Sequence, residues 1–167
     1  MKSSPRLQDR RTPRWFFEFL DERFGPFELD AFAHKQSALC PCWFTQEEDG
    51  TKQLWAKRTF ANPPFAIIGQ TIIHAVQQGF ERNVMSVVLG PTGCAQRWFQ
   101  EFAIRGTIFV PDRRISYDMP DGSPTDPALS EAPGADRDTM VYVFGGDYWN
   151  QDWRRGVFRV LKLELPR

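Results

Sequence analysis

The sequence predicts an α/β domain, with a mostly parallel sheet, helices on its faces and antiparallel strands at its edge. Three observations carry this expectation. Short β-branched runs alternate with helically spaced apolar residues through the first two-thirds of the chain. Val84 to Leu89 is a nearly unbroken apolar run closed by Gly90-Pro91, the pattern of a strand covered on both faces. The last third is richer in strand signals than in helix signals. A length of 167 residues suits one domain with one core. Residues 1–167 are therefore read as a single unit, with a basic arm over 1–11 and a flexible loop over 118–138.

The elements follow in order. Thr12-Pro13 opens a helix, with Thr12 able to cap it and Pro13 suited to its first turn. Phe16, Phe19, Leu20 and Phe24 keep helical spacing until Gly25-Pro26 stops it. Phe27 to Ala33 reads as a strand that ends near Asp30. Cys42 to Thr45 is a second short strand, and Asp49-Gly50 is a turn within a polar stretch. Arg58 to Ala61 is a strand that runs directly into Asn62-Pro63-Pro64-Phe65, where the prolines forbid continuation. Ile68, Ile72, Ala75 and Val76 mark a helix that Gly79 ends.

After the Val84 strand, Trp98, Phe99 and Phe102 give a helix ending at Gly106. Thr107 to Val110 is a strand, and Arg114 to Tyr117 is briefly extended. Residues 118–138 are rich in Pro, Gly, Asp and Ser. Met140 to Phe144 and Val157 to Leu165 return to strand character. Trp15 and Trp98 read as core residues.

Composition narrows the function classes. Hydrophobic residues make up 41% of the chain, with 15 Phe and 6 Trp, which is a globular composition. No apolar run is long enough to cross a bilayer and no apolar stretch follows the polar start, so the expected compartment is the cytoplasm. The three cysteines, Cys40, Cys42 and Cys94, and the histidines His34 and His74 lack metal-ligand spacing, and the cysteines are read as buried or semi-buried thiols with no disulfide and no metal. The net charge is zero, so any nucleic-acid surface must come from clustered cations. Such groups occur in the arm, at Arg113 and Arg114, and over Arg154 to Lys162. Each is equally readable as a solvated face.

In a parallel sheet, ligands bind beyond the carboxyl ends of the strands. Asp30, Asn62 and Pro91 are all expected on that rim. Asn62-Pro63-Pro64-Phe65 is the sharpest of these. Its prolines remove two donors and stiffen the backbone. The Asn62 amide oxygen and a carbonyl near Pro63 can accept both hydrogens of a planar amine. They would favour a nitrogen that becomes tetrahedral and positive. Phe65 can stack on the ring that carries the amine. The same tetrapeptide is also an ordinary strand-to-helix turn. An acid such as Asp30 often only caps a turn, and Asp49-Gly50 is a common turn pair.

The tetrapeptide resembles the [D/N]-P-P-[Y/F/W] motif of amino-methyltransferases. Further segments, in order, resemble the phage-type Dam family of DNA adenine methyltransferases. They are Thr12 to Phe17, Phe27 to Ala33, Phe44-Thr45 with Asp49-Gly50, and Trp55. Downstream come Leu89 to Thr92 with Trp98-Phe99, Arg114 to Tyr117, and Val143 to Gly145. The resemblance spans roughly residues 11–146. It implies a Rossmann-like methyltransferase domain that transfers a methyl group from S-adenosylmethionine to the N6 amine of adenine in DNA. It assigns cofactor binding to Thr12, Pro13, Asp30, Ala31, Phe32, Asp49 and Asn62. The catalytic loop is Asn62, Pro63, Pro64 and Phe65. Apart from the resemblance, Arg113 and Arg114 are read as DNA phosphate contacts from their place beside the flexible loop.

Adenine would be extruded from the duplex, because its amine is unreachable in the stack. The chain has no room for a large recognition domain, so short specificity is expected in a monomer or homodimer. Two other classes stay open. One is an amino-methyltransferase for cytosine, RNA or a protein amide. The other is an inert DNA-binding module of the same fold, suggested by the missing Gly-rich cofactor loop after Asp30.

Overall fold

The computed structural model describes residues 11–124 and 138–167, so nearly all of the basic arm and most of the 118–138 loop lie outside the described residues. The elements run α1 (Arg14–Phe24), β1 (Leu29–Asp30), β2 (Cys42–Trp43), β3 (Arg58–Ala61), α2 (Ile68–Arg82), β4 (Met85–Pro91), α3 (Arg97–Glu101), β5 (Thr107–Pro111), β6 (Thr139–Phe144) and β7 (Val160–Leu163). Single 3-10 turns punctuate the connections. The strands form one seven-stranded sheet in the order β2-β1-β3-β4-β6-β5-β7.

This is the α/β architecture that the alternation predicts, a mostly parallel sheet consistent with a Rossmann-like methyltransferase fold. One placement differs. Among the described strands, only β6 runs antiparallel to its neighbours, and it lies inside the sheet between β4 and β5. The edge strands β2 and β7 are both parallel to the strand beside them. The reason is visible in the residues. Val141, Tyr142, Val143 and Phe144 are fully buried, so this strand needs cover on both faces. An interior position gives it that cover, whereas an edge would leave one rail of backbone groups and part of the apolar surface in water.

Successive side chains of each strand serve opposite faces. Phe60, Val87, Leu89, Phe109, Val141 and Val143 join Phe16, Phe17, Leu20 and Phe24 of α1. Ala61, Val88, Ile108, Tyr142 and Phe144 join Ile68, Ile72, Ala75 and Val76 of α2, with Phe99 of α3. Trp98 packs partly buried on this second cluster. Trp15 is not core: it is 42% exposed on the outer side of α1.

Gly79 does not end α2. The helix continues one turn to Arg82 and closes at Asn83, whose left-handed backbone (φ 54°) donates its N–H to the carbonyl of Gly79. Gly79 answers to a tertiary contact instead. A Cβ there would fall 2.6 Å from Cζ2 of Trp149.

That contact gives a stability test. Gly79→Ala improves helix propensity by up to about 1 kcal/mol. The indole against it cannot swing aside like a flexible chain, so overpacking should reverse the sign. We expect a net loss of about 1–2 kcal/mol in urea unfolding. A midpoint at or above wild type would contradict the contact.

Candidate active site

The parallel strands β1, β3, β4 and β5 end on one rim of the sheet. Asn62 follows the last residue of β3, and the next two residues are prolines. The loop then makes one 3-10 turn, Phe65–Ile67, before α2 begins. The carbonyl of Pro64 is used in that turn, accepting the N–H of Ile67 at 3.0 Å. No described residue donates to the carbonyl of Pro63. Pro63 is buried, while Asn62, Pro64 and Phe65 are half-buried. The loop thus offers a stiff acceptor beside the Asn62 amide.

That amide is oriented. Its Nδ2 donates to the hydroxyl of Thr12 at 2.9 Å. Thr12 is buried and does not cap α1; the residue before the helix is Pro13, which has no side chain to do so. Cap chemistry and amide-holding chemistry are the same for a hydroxyl, and the fold spends it on Asn62. Thr12 is itself held from both sides. Arg11 and Asp118 exchange two backbone hydrogen bonds of 2.9 Å, and the carbonyl of Pro13 takes the N–H groups of Phe16 and Phe17.

The loop after β1 forms the second part of the rim. Asp30 is 3% exposed, and its carboxyl accepts the N–H groups of Phe32 at 3.4 Å and Leu39 at 3.3 Å. It therefore shapes the loop between them, as a turn-capping acid does. Burial outweighs these bonds and pushes its pKa up to about 7. The neighbouring Cys40 thiol is buried as expected and is pushed far up by burial and by the charge of Asp30, whereas Cys42 and Cys94 are exposed, contrary to expectation.

Asp49 behaves as a turn residue. It has φ 55°, its carboxylate accepts from the backbone and hydroxyl of Thr51, and it pairs with Lys52 at 2.9 Å. These partners hold its pKa below the usual range. Its turn nevertheless lies against the β1 loop, because a Cβ on Gly50 would fall 2.2 Å from the carbonyl oxygen of Ala31. Asp30, Ala31, Phe32 and Asp49 are thus gathered in one corner. Ala31 donates to the carbonyl of Phe60 in β3, which joins this corner to the strand that carries Asn62.

Arg113 and Arg114 follow β5, beyond β4 and β6 from Asn62. Arg113 donates to the carbonyls of Leu165 and Pro166 and pairs with Asp112 at 3.5 Å. Arg114 pairs with Asp138 at 3.8 Å. Sequence reasoning missed the Arg11–Asp118 bridge and Tyr142. The Tyr142 hydroxyl, buried inside the sheet, donates to the carbonyl of Pro91 at 2.7 Å and secures the end of β4. Neither carries a local signal, since both partners are distant in sequence.

Among the described residues, no group of three or more His, Cys, Asp or Glu side chains stands close enough to hold a metal ion. Among those residues, too, no helix is long and apolar enough to cross a membrane.

Comparison with known proteins bears on this site. The model of the family DNA N-6-adenine-methyltransferase (Dam) matches residues 4–134. The DNA N-6-adenine-methyltransferase of Escherichia phage T1 is 29% identical over 92 residues, which cover 54% of this chain and 38% of that protein. The Escherichia coli (strain K12) protein YfdM, named as a methyltransferase, is 34% identical over 62 residues, which cover 33% of this chain and 68% of that protein. The chain therefore spans little more than a third of the phage protein's length.

The buried acid gives a pH test. With a folded pKa of about 7 against an ordinary 3.8, Asp30 retains a proton that the unfolded chain releases between those values. Its contribution to stability therefore falls as pH rises from about 4 to about 7, and the full cost remains above that. Urea midpoints should decline less steeply over this range in Asp30→Asn than in wild type. Equal slopes would mean that Asp30 ionises normally in the fold.

Proposed function

The chain belongs to the DNA N-6-adenine-methyltransferase (Dam) family, and we propose that it transfers a methyl group from S-adenosylmethionine to the N6 amine of adenine in DNA. The observation that carries this reading is the Asn62-Pro63 pair at the end of β3. It sets an oriented amide beside a backbone carbonyl that has no donor among the described residues. The other amino-acceptor classes would use the same pair, and the family favours adenine over them.

The residues present fit the methyl donor. The β1 corner has half-buried aromatic walls in Phe32 and Phe44, and a part-exposed carboxylate in Asp49. Those groups suit a purine and ribose hydroxyls. Pro13, Asp30, Ala31, Phe32 and Asp49 are proposed to hold it, with Asp30 acting through the loop that it shapes; Thr12 and Asn62, which the resemblance also gives to the cofactor, are bonded to each other and are proposed to act on the amine instead. When bound, S-adenosylmethionine supplies an electrophilic methyl group.

The protein's own work is on the amine. In adenine the amine lone pair is delocalised into the ring and the nitrogen is a poor nucleophile. Asn62 Oδ1 and the Pro63 carbonyl each accept one amine hydrogen. Two acceptors placed off the ring plane pull the nitrogen toward tetrahedral geometry and return its lone pair. Both would then stabilise the positive charge that passes to the nitrogen as the N–C bond forms and the methyl–sulfur bond breaks, the donor leaving as a neutral thioether. The stiff proline backbone keeps them in register with the line of attack. Phe65 offers a face on which the extruded base can stack. One amine proton leaves to solvent afterwards.

DNA approaches the same rim. Arg114 and Arg113 are proposed phosphate contacts. For Arg113 this requires release of the Leu165 and Pro166 carbonyls that it now holds.

Expression in a host that lacks adenine methylation, followed by base analysis of its DNA, tests the acceptor. N6-methyladenine should appear with wild type and fall by about a hundredfold or more with Asn62→Ala. Calorimetric titration with S-adenosylmethionine should give a similar affinity for both proteins. Methylcytosine alone, or no methylated base from a protein that binds the cofactor, would overturn the reading.

A further inference from the structure

We propose that Thr12 is a positioning residue for the reaction: its hydroxyl takes the donor end of the Asn62 amide and thereby turns the Oδ1 acceptor toward the amine. This rests on the methyl-transfer reading above, and deepens it. The observation is the 2.9 Å contact from Asn62 Nδ2 to Thr12 Oγ1.

The two ends of an asparagine amide are nearly isosteric, and rotation about the last side-chain torsion is soft. One orientation sets an acceptor against the incoming amine. The other sets an NH2 against an NH2, hydrogen against hydrogen. The loop cannot choose between them through its own backbone, because Pro63 and Pro64 carry no N–H. A partner outside the loop must choose.

Thr12 is that partner, and it is built to be stationary. It is 7% exposed. On one side the Arg11–Asp118 bridge holds the chain, and on the other the first turn of α1 hangs from the carbonyl of Pro13. α1 in turn is anchored by Phe16, Phe17, Leu20 and Phe24 in the core. A hydroxyl can accept or donate. An accepting hydroxyl leaves the Asn62 Oδ1 for the amine's hydrogens, whereas a donating one would take that oxygen and set NH2 against NH2. The same arrangement moves the amide's positive end away from a nitrogen that becomes positive.

The contact is therefore felt in turnover rather than in cofactor affinity. Thr12→Val keeps the shape and removes the acceptor. At saturating S-adenosylmethionine it should lower kcat by about 10–100-fold, the range expected for a misaligned reacting group. The KM for DNA and the Kd for the cofactor should each stay within about threefold. Thr12→Ser should rescue kcat to within about threefold of wild type, since the hydroxyl returns.

A second measurement needs neither substrate nor a Thr12 variant. In 1H–15N spectra of wild type, the Asn62 side-chain pair, assigned by its loss in Asn62→Ala, should show slowed proton exchange. Exchange at the rate of a free amide would overturn the proposal, as would unchanged kcat in folded Thr12→Val. A loss confined to cofactor affinity would also overturn it. If wild type makes no methyladenine while the Asn62 amide is protected, the acceptor assignment fails and the positioning contact stands.

Discussion

Among the described residues, the two parallel halves of the sheet meet only through β6. On one side lie β2, β1, β3 and β4; on the other lie β5 and β7. No described ladder joins β4 to β5 directly. A single reversed strand therefore holds together the ribbon that carries Asn62 and the ribbon that carries Arg113 and Arg114. It does so with four fully buried large side chains in a row, two for each face. At roughly 1.5–3 kcal/mol for each large apolar side chain withdrawn from water, this strand is among the largest local contributions to the fold. Its Tyr142 also reaches past its own face to bind the end of β4. Core and rim are thus fastened by one element.

How far the sequence spoke follows from which forces are local. The boundaries of β3 and the break at Asn62 are legible, because proline chemistry acts on its own residue and the one before. β4, β5 and β6 are legible as strands from their apolar content. The place of β6 within the sheet is not, because pairing is decided between segments far apart. Gly79 misleads for a related reason. Read locally, a glycine near a helix end is a stop signal; in the fold it is clearance for Trp149. Thr12 misleads through ambiguity of chemistry, since a hydroxyl before a helix suits a cap and an amide partner equally. Trp15 shows the limit of reading size as burial.

The candidate site is likewise only partly legible. Asn62 stands out because its neighbours are unusual. Asp30 is placed correctly at a strand end, yet its carboxyl faces the loop backbone rather than open solvent. Asp49 is both readings at once, a turn residue by its hydrogen bonds and a rim residue by the packing of Gly50 on Ala31. Arg113 shows how a cation read as free in sequence can be engaged in the fold, here by the carbonyls near the end of the chain. With zero net charge, the proposed grip on a polyanion would depend on where cations stand rather than on how many there are.

One consequence of the occupied amide reaches beyond geometry. Thr12 consumes the donor end of Asn62, and the two residues after it have no N–H to give. Toward the proposed amine the loop therefore sets two acceptors, the Asn62 oxygen and the Pro63 carbonyl. Such a surface selects by repulsion. Thymine O4 and guanine O6 set a lone pair where adenine and cytosine set an NH2. A keto base would meet oxygen with oxygen, at the cost of several unmade hydrogen bonds. On the proposed reading, keto bases would be turned away before any contact reads the rest of the ring.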